Sequence, residues 1–133
     1  MATNKIVSPY FENGVFAGVR VTLGGEDFVI APNDYRHGKK LLRKLPWKEA
    51  MDTLKANNLT TWNYRQICFT MAFHSEINKV LQDNGGDKLG DIYWIDAEYS
   101  NICSFSYYYT NVLSFDYKTV YLRIRPVKNL KNA

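Results

Sequence analysis

Hydrophobic and polar positions alternate from Val15 to Leu23 and again from Asp27 to Ala31, around Gly24-Gly25-Glu26. Val19, Val21 and Leu23 fall on one side and Arg20 and Thr22 on the other, the period of a half-buried strand. Two glycines between such runs predict a hairpin, because glycine accepts positive φ at no steric cost. Residues 1–14 read as a loose N-terminal segment. Residues 32–45, with Pro32, Asn33, Asp34, Gly38, Lys39 and Lys40, read as a connecting loop whose basic cluster is a solvated surface.

The period then changes. Pro46 opens a helix, where its missing N–H costs nothing, and Trp47, Ala50, Met51 and Leu54 follow at i, i+3, i+4 and i+7. Asn57-Asn58 ends that pattern. A second helix starts at Asn63, with Gln66 three residues on as in a capping box, and runs to Asn84-Gly85-Gly86. It is apolar nearly all round, which predicts a central buried helix over 63–84. From Asp91 no helical period survives. Ile92–Ile95, Ser104–Tyr109, Val112–Tyr117 and Thr119–Val127 read as short strands rich in aromatic and β-branched residues, the last closed by Pro126. Arg123, Arg125 and Val127 are expected to pair back near residues 15–31, bringing the termini together. The order is that of an α+β domain with two helices packed on short antiparallel strands.

A chain of 133 residues suits one domain. No apolar run approaches the roughly 18–20 residues that span a bilayer, so no membrane insertion is expected. Met1–Tyr10 lacks the apolar core of a secretory signal. Seventeen basic residues face thirteen acidic ones, a net charge of +4. Ten tyrosines are present, and Tyr93, Tyr99, Tyr107, Tyr108, Tyr109, Tyr117 and Tyr121 fall within residues 92–122, beside one basic residue, Lys118. The charge therefore resides in the body and in a tail with Arg123, Arg125, Lys128 and Lys131. Aromatics without interleaved Lys or Arg argue against nucleic acid as a partner.

Pro46-Trp47-x-Glu49-Ala50-Met51, Glu76-Ile77-Asn78, Gly85-Gly86-Asp87, Tyr93-Trp94 with Glu98-Tyr99, and Val120-Tyr121 with Arg125-Pro126-Val127 stand in an order that resembles one family. It is that of the C-type-lectin-fold variable proteins of diversity-generating retroelements, of the kind found in gut Bacteroidales and their phages. The resemblance covers about residues 18–127. It implies a single C-type-lectin-like domain with paired N- and C-terminal strands, and a variable ligand-binding region over 92–122. It also implies that adenine-directed mutagenesis rewrites codons in that region, so that pyrimidine-ended codons result. Such codons never encode Lys, Glu, Gln, Met or Trp. Residues 99–121 hold one of these five types, Lys118, where about four or five of 23 residues would be ordinary. The avoidance of Lys and Glu by β-strands accounts for part of that depletion.

Tyrosine with Ser, Asn and Thr is also the chemistry of an antibody paratope, a large amphipathic contact at low entropic cost. The expected ligand surface comprises Asp96, Tyr99, Ser100, Asn101, Ile102, Cys103, Ser106, Tyr108, Asn111, Ser114, Asp116, Tyr117, Thr119 and Tyr121. Ser106 and Tyr108 then share the exposed strand face, leaving Phe105, Tyr107 and Tyr109 as core. The competing reading makes one of these faces core and the other merely solvated.

Other chemistry has less support. His74 sits among apolar residues and His37 in a basic loop, neither at metal-ligand spacing from a carboxylate or cysteine. Cys68 reads as a small core residue, and Cys103 as one outcome of a variable codon. Asp91, Asp96 and Glu98 are hard oxygen ligands that could hold calcium, but the Glu-Pro-Asn, Gln-Pro-Asp and Trp-Asn-Asp motifs of sugar-binding C-type lectins are absent from the chain. No nucleophile–base motif or phosphate loop is present, so a non-catalytic protein without metal or cofactor is expected. The resemblance implies a protein or cell-surface ligand and a place in a phage tail, a receptor-binding assembly or a bacterial surface protein. With no signal recognised, a virion, or the cytoplasm before assembly, is the expected location. The alternative is a structural or assembly protein that uses the same face as a fixed subunit interface, with homo-oligomerisation as one form.

Overall fold

The computed structural model describes residues 5–35, 44–90, 92–108 and 111–130. His37 and Gly38–Lys40 of the basic loop, Asp91, Tyr109 and Lys131 lie outside the described residues. Those described form a mixed α+β structure of three helices and nine strands in two sheets. The first sheet runs in the order β1 (Val7–Glu12), β2 (Val15–Leu23), β3 (Glu26–Ile30) and β9 (Val127–Asn129). The second runs β4 (Lys44–Leu45), β8 (Leu122–Arg123), β5 (Ile92–Glu98), β6 (Cys103–Tyr108) and β7 (Val112–Tyr117).

Gly24 and Gly25 have φ of +57° and +85° and close the β2–β3 hairpin, as the alternation predicts. The expectation of a loose segment over residues 1–14 is corrected for residues 7–14, residues 1–4 lying outside the described residues. Val7–Glu12 pairs antiparallel with β2 through a second two-residue turn, Asn13-Gly14, at φ +53° and +78°. Pro9 obscures this strand in the sequence, yet a strand at a sheet edge tolerates proline because its outward side needs no ladder bond.

Helix α1 (Trp47–Ala56) buries Trp47, Ala50 and Leu54. Asn63 and Gln66 form the anticipated capping box, with Gln66 N–H on Asn63 Oδ1 at 2.8 Å and Asn63 N–H on Gln66 Oε1 at 3.0 Å. The helix that follows does not run unbroken to residue 84. It stops as α2 (Tyr64–Ala72), Phe73 leaves helical geometry at φ −118° and ψ 27°, and α3 (His74–Asp83) resumes. The Thr70 hydroxyl donates to the Gln66 carbonyl four residues back at 3.0 Å, a contact that bends helices. Buried Ile67, Thr70, Ile77 and Leu81 stay in phase across the break, so hydrophobic periodicity cannot reveal it. Cys68 lies one position off that stripe and is exposed rather than core.

The expected strand over 119–127 is likewise divided. Leu122–Arg123 joins the second sheet, Arg123 opposite Lys44 and parallel to Tyr93. Only after Pro126 does Val127 pair with Ile30 in the first sheet. Between them Arg125 turns wholly inward. Its side chain is 0% exposed and its Nη1 donates to Asp34 Oδ1 at 2.7 Å, while Asp34 is 5% exposed. Arg125 Nε donates to the Ala31 carbonyl at 2.9 Å, and Nη2 donates to the Asp87 carbonyl. Tyr93 OH donates to Asp34 Oδ1 at 2.6 Å and Arg123 Nη1 to Oδ2 at 3.0 Å.

Alternation along β5 divides the interior. Tyr93 and Ile95 join Val19, Val21, Trp62, Ile67 and Tyr107 in one cluster. Trp94 joins Leu45, Trp47, Ala50, Leu54 and Ile124 in the other. The two indoles of the second cluster are satisfied by carbonyls, Trp94 on Leu45 at 2.7 Å and Trp47 on Ile95 at 3.0 Å.

Two predictions follow from this interior. Arg125→Met leaves the Asp34 carboxylate buried beside an apolar side chain, and is expected to lower unfolding free energy by about 3–5 kcal/mol in denaturant titration. His74 packs edge-on against the Tyr107 ring at 6.2 Å and meets Asn78 at 3.2 Å. Burial, then the charge of Lys88, holds its pKa below the ordinary histidine value. The unfolded chain therefore binds the proton more readily. The resulting stability is fully present above about pH 6.5 and is lost as pH falls through the lowered folded value. Thermal melts should show that decline in the native protein and not in His74→Gln.

Candidate binding surface

β6 and β7 present two faces of different chemistry. Their register pairs Phe105 with Phe115 and Tyr107 with Leu113 on one face, and Ser106 with Ser114 and Ser104 with Asp116 on the other. On the first face burial decreases toward the strand ends near residue 103. Tyr107 is fully buried, Phe105 half-buried, and Phe115 and Tyr117 are 49% and 63% exposed. The chain after β5 folds back over this face. Tyr99, 55% exposed, stacks on Phe115 with centroids 4.3 Å apart and planes at 1°. It also meets Phe105 edge-on at 5.4 Å, and Tyr64, the first residue of α2, meets Phe105 edge-on at 5.2 Å. Together these rings form an aromatic shelf.

The turn that carries Tyr99 is hydrogen-bonded. Ser100 Oγ accepts the Cys103 N–H at 3.1 Å and the Ile102 N–H at 3.3 Å, and the Tyr99 and Ser100 N–H groups both donate to the Cys103 carbonyl. Lys118 N–H donates to the Ile102 carbonyl at 2.9 Å, joining this turn to the one after β7. Trp47 N–H donates to the Lys118 carbonyl at 3.0 Å, which anchors both turns to α1. Lys118 Nζ pairs with Glu98 and lies 4.8 Å from the Trp47 ring centroid. Ser100, Asn101, Ile102, Thr119 and Tyr121 are exposed along this end of the sheet.

The second face turns its polar groups inward. Ser106 is buried and its Oγ donates to Asp116 Oδ2 at 2.6 Å. Tyr108 OH donates to the same carboxylate at 2.9 and 3.1 Å. Burial first, and the Asp116 hydrogen bond and charge after it, raise the Tyr108 pKa. The expectation that Ser106 and Tyr108 form the exposed face is thus corrected. Ser106 is inaccessible, Tyr108 is half-buried, and Phe105 contributes to the shelf rather than lying wholly in the core. Ser114 and Cys103 are half-buried as well. Asn111, at φ +64°, accepts from Tyr107 OH at 2.9 Å and donates to the Met71 carbonyl at 2.9 Å, tying the β6–β7 loop to α2.

Asp96 is exposed but stands apart. It borders a recess of about 540 Å³ beside α1 with Met51, Lys55, Leu59 and Thr61, whose lining includes none of the shelf rings. Sequence reasoning missed Tyr64, Phe105 and Phe115 as surface aromatics. Alternation was the available signal for Phe115, since it must share a face with Tyr117 two residues on. No signal of spacing could bring Tyr64 there from another element. Among the described residues no three His, Cys, Asp or Glu side chains gather as a metal-binding group, and no helix is long and apolar enough to cross a membrane. No family model matches the chain, and no curated protein matches it.

The two faces should respond differently to truncation. Asp116→Ala strips the buried Ser106 hydroxyl and Tyr108 of their acceptor, with an expected loss of about 1–3 kcal/mol. Tyr117→Ala should stay within about 0.5 kcal/mol. Equal losses in chemical denaturation would mean that the carboxylate does not organise this face.

Proposed function

We propose that this chain is a non-catalytic ligand-binding protein of C-type lectin fold that recognises its ligand with the aromatic shelf and the two turns beside it. The observation that carries the reading is the ring assembly of Tyr99, Phe115, Phe105 and Tyr64, partly open to solvent and interlocked. Exposed contiguous apolar patches mark interaction sites, and aromatics framed by small polar side chains suit protein recognition. The rings are held in place before any ligand arrives, which reduces the entropy lost on binding. Ser100, Asn101, Ile102, Tyr117, Thr119 and Tyr121 complete the surface. Support for the fold comes from the ordered motifs and from β9 returning to β3. The ligand is a protein or cell-surface molecule, and the setting a phage tail, receptor-binding assembly or surface structure.

The second reading is a fixed subunit interface, favoured by the exposed outer edge of β7. DNA flanking the gene separates the two. The ligand reading expects a reverse transcriptase gene and a near-copy of the segment encoding residues 92–127. The copy should differ at adenines in codons for exposed positions such as Tyr99, Asn101, Ile102, Tyr117 and Tyr121, and should preserve Trp94, Tyr107 and Leu122. Flanks without such a copy mean that the face is fixed, and the interface reading stands instead.

A further inference from the structure

We propose that two copies of this chain pair through β7, antiparallel and centred on Phe115, joining their second sheets into one. Among the described residues β7 is a sheet edge, hydrogen-bonded only to β6. In an antiparallel ladder alternate residues aim their amides and carbonyls away from the neighbour, and an edge strand leaves that row ready for another strand. The other edges are guarded. β1 carries Pro9 and a register shift between Tyr10 and Phe11. β9 spans three residues and includes Lys128, and β4 spans two. β7 spans six residues, Val-Leu-Ser-Phe-Asp-Tyr, without Pro or Gly, and Val112, Phe115 and Tyr117 are exposed. Its one charged group, Asp116, is turned back onto Ser106 and Tyr108.

A row of backbone donors and acceptors is matched by an extended polypeptide, and side chains beside the shelf should be apolar. β7 of a second copy meets both requirements, and a two-fold pairing satisfies both edges at once, whereas a foreign strand would leave its own far edge open. Opposed residues of an antiparallel pair share a face. Keeping both shelves on one side therefore requires Phe115 to oppose an odd-numbered residue. A two-fold axis at Asp116 would set carboxylate against carboxylate, and one at Ser114 would set Val112 against Asp116. Centring on Phe115 opposes Phe115 to Phe115, Leu113 to Tyr117, Ser114 to Asp116 and Val112 to Lys118, with no like charges facing. The proposal goes beyond the ligand reading, because edge pairing leaves the upper side of both shelves open and makes them one platform.

Interfaces below about 1,200 Å² belong to weak associations, so sedimentation should be followed up to about 1 mM protein. The native chain is expected to move toward twice the monomer mass with concentration, and folded Phe115→Lys to remain monomeric. Position is read by oxidation in a background with Cys68→Ser and Cys103→Ser. Phe115→Cys should yield a reducible dimer, Leu113→Cys alone should not, and Leu113→Cys mixed with Tyr117→Cys should. A native monomer at every concentration overturns the proposal. So does equal cross-linking of Phe115→Cys and Leu113→Cys. Neither result bears on the flanking DNA, so failure here and failure of the ligand reading remain distinct.

Discussion

A guanidinium removed from water must find acceptors, and meeting that demand for Arg125 organises this fold. Its donors reach the Asp34 carboxylate, the carbonyl of Ala31 at the end of β3, and the carbonyl of Asp87 after α3. Two segments distant from it in sequence, residues 31–34 and the stretch at Asp87, are thereby fixed to the connection between β8 and β9. Tyr93 and Arg123 add two further donors to Asp34, so neither charge is left unpaired. Desolvating such a pair costs several kcal/mol per ion and recovers little net stability. What the pair supplies is position. It requires residues 124–126 to leave the second sheet, and it delivers Val127 to Ile30 in the first.

From that anchor a line of aromatic rings reaches the surface. Tyr93 meets Trp62 edge-on at 5.7 Å, and Trp62 meets Tyr107 at 5.8 Å. Tyr107 lies on β6 two residues from Phe105, which touches both Tyr64 and Tyr99. Edge-to-face pairs have preferred geometries and contribute beyond their buried area, so each ring restricts the next. The shelf is therefore an outward extension of the core, and its exposed rings inherit the order of the buried ones. An apolar surface held in this way can be large without collapsing on itself.

Much of this was legible in the sequence, for identifiable reasons. The Gly24-Gly25 hairpin, the stripe of α1, the Asn63–Gln66 capping box, the starts of β5 and β7 and the position of β6 to within one residue depend on neighbours a few residues apart, and local spacing encodes them. The break at Phe73 was not legible because the buried stripe stays in phase through it. β1 carried its signal in Asn13-Gly14, but Pro9 masked it. The division of residues 119–127 depends on Asp34, some ninety residues away, and no local pattern records a buried ion pair. At the surface, composition pointed to the segment that carries exposed Tyr99, Phe115, Tyr117 and Tyr121, but the strand face on which Ser106 and Tyr108 were expected to be exposed is turned inward. Ser106 reads as exposed, whereas Ser104 and Ser106 are both buried, small residues that let a sheet face close over their hydroxyls.

That difference between the faces bears on which positions a diversified surface could use. Substitution is tolerated where a side chain carries no obligation to the scaffold. Ser106, Tyr108 and Asp116 share one hydrogen-bonded group, and Asn111 holds a positive φ and bridges Tyr107 to α2. Changing any of them alters what its partners must do. Asn101, Ile102, Tyr117, Thr119 and Tyr121 carry no such side-chain ties among the described residues, and the turns beneath them are held by backbone bonds and the Ser100 hydroxyl, which a change at these five positions does not remove. Tyr99 and Phe115 lie between these classes, since each is the other's stacking partner and they would vary best together. Under the ligand-binding reading, diversity thus belongs to the turns and the outer shelf, while the serine face of the same two strands is excluded by its own hydrogen bonds.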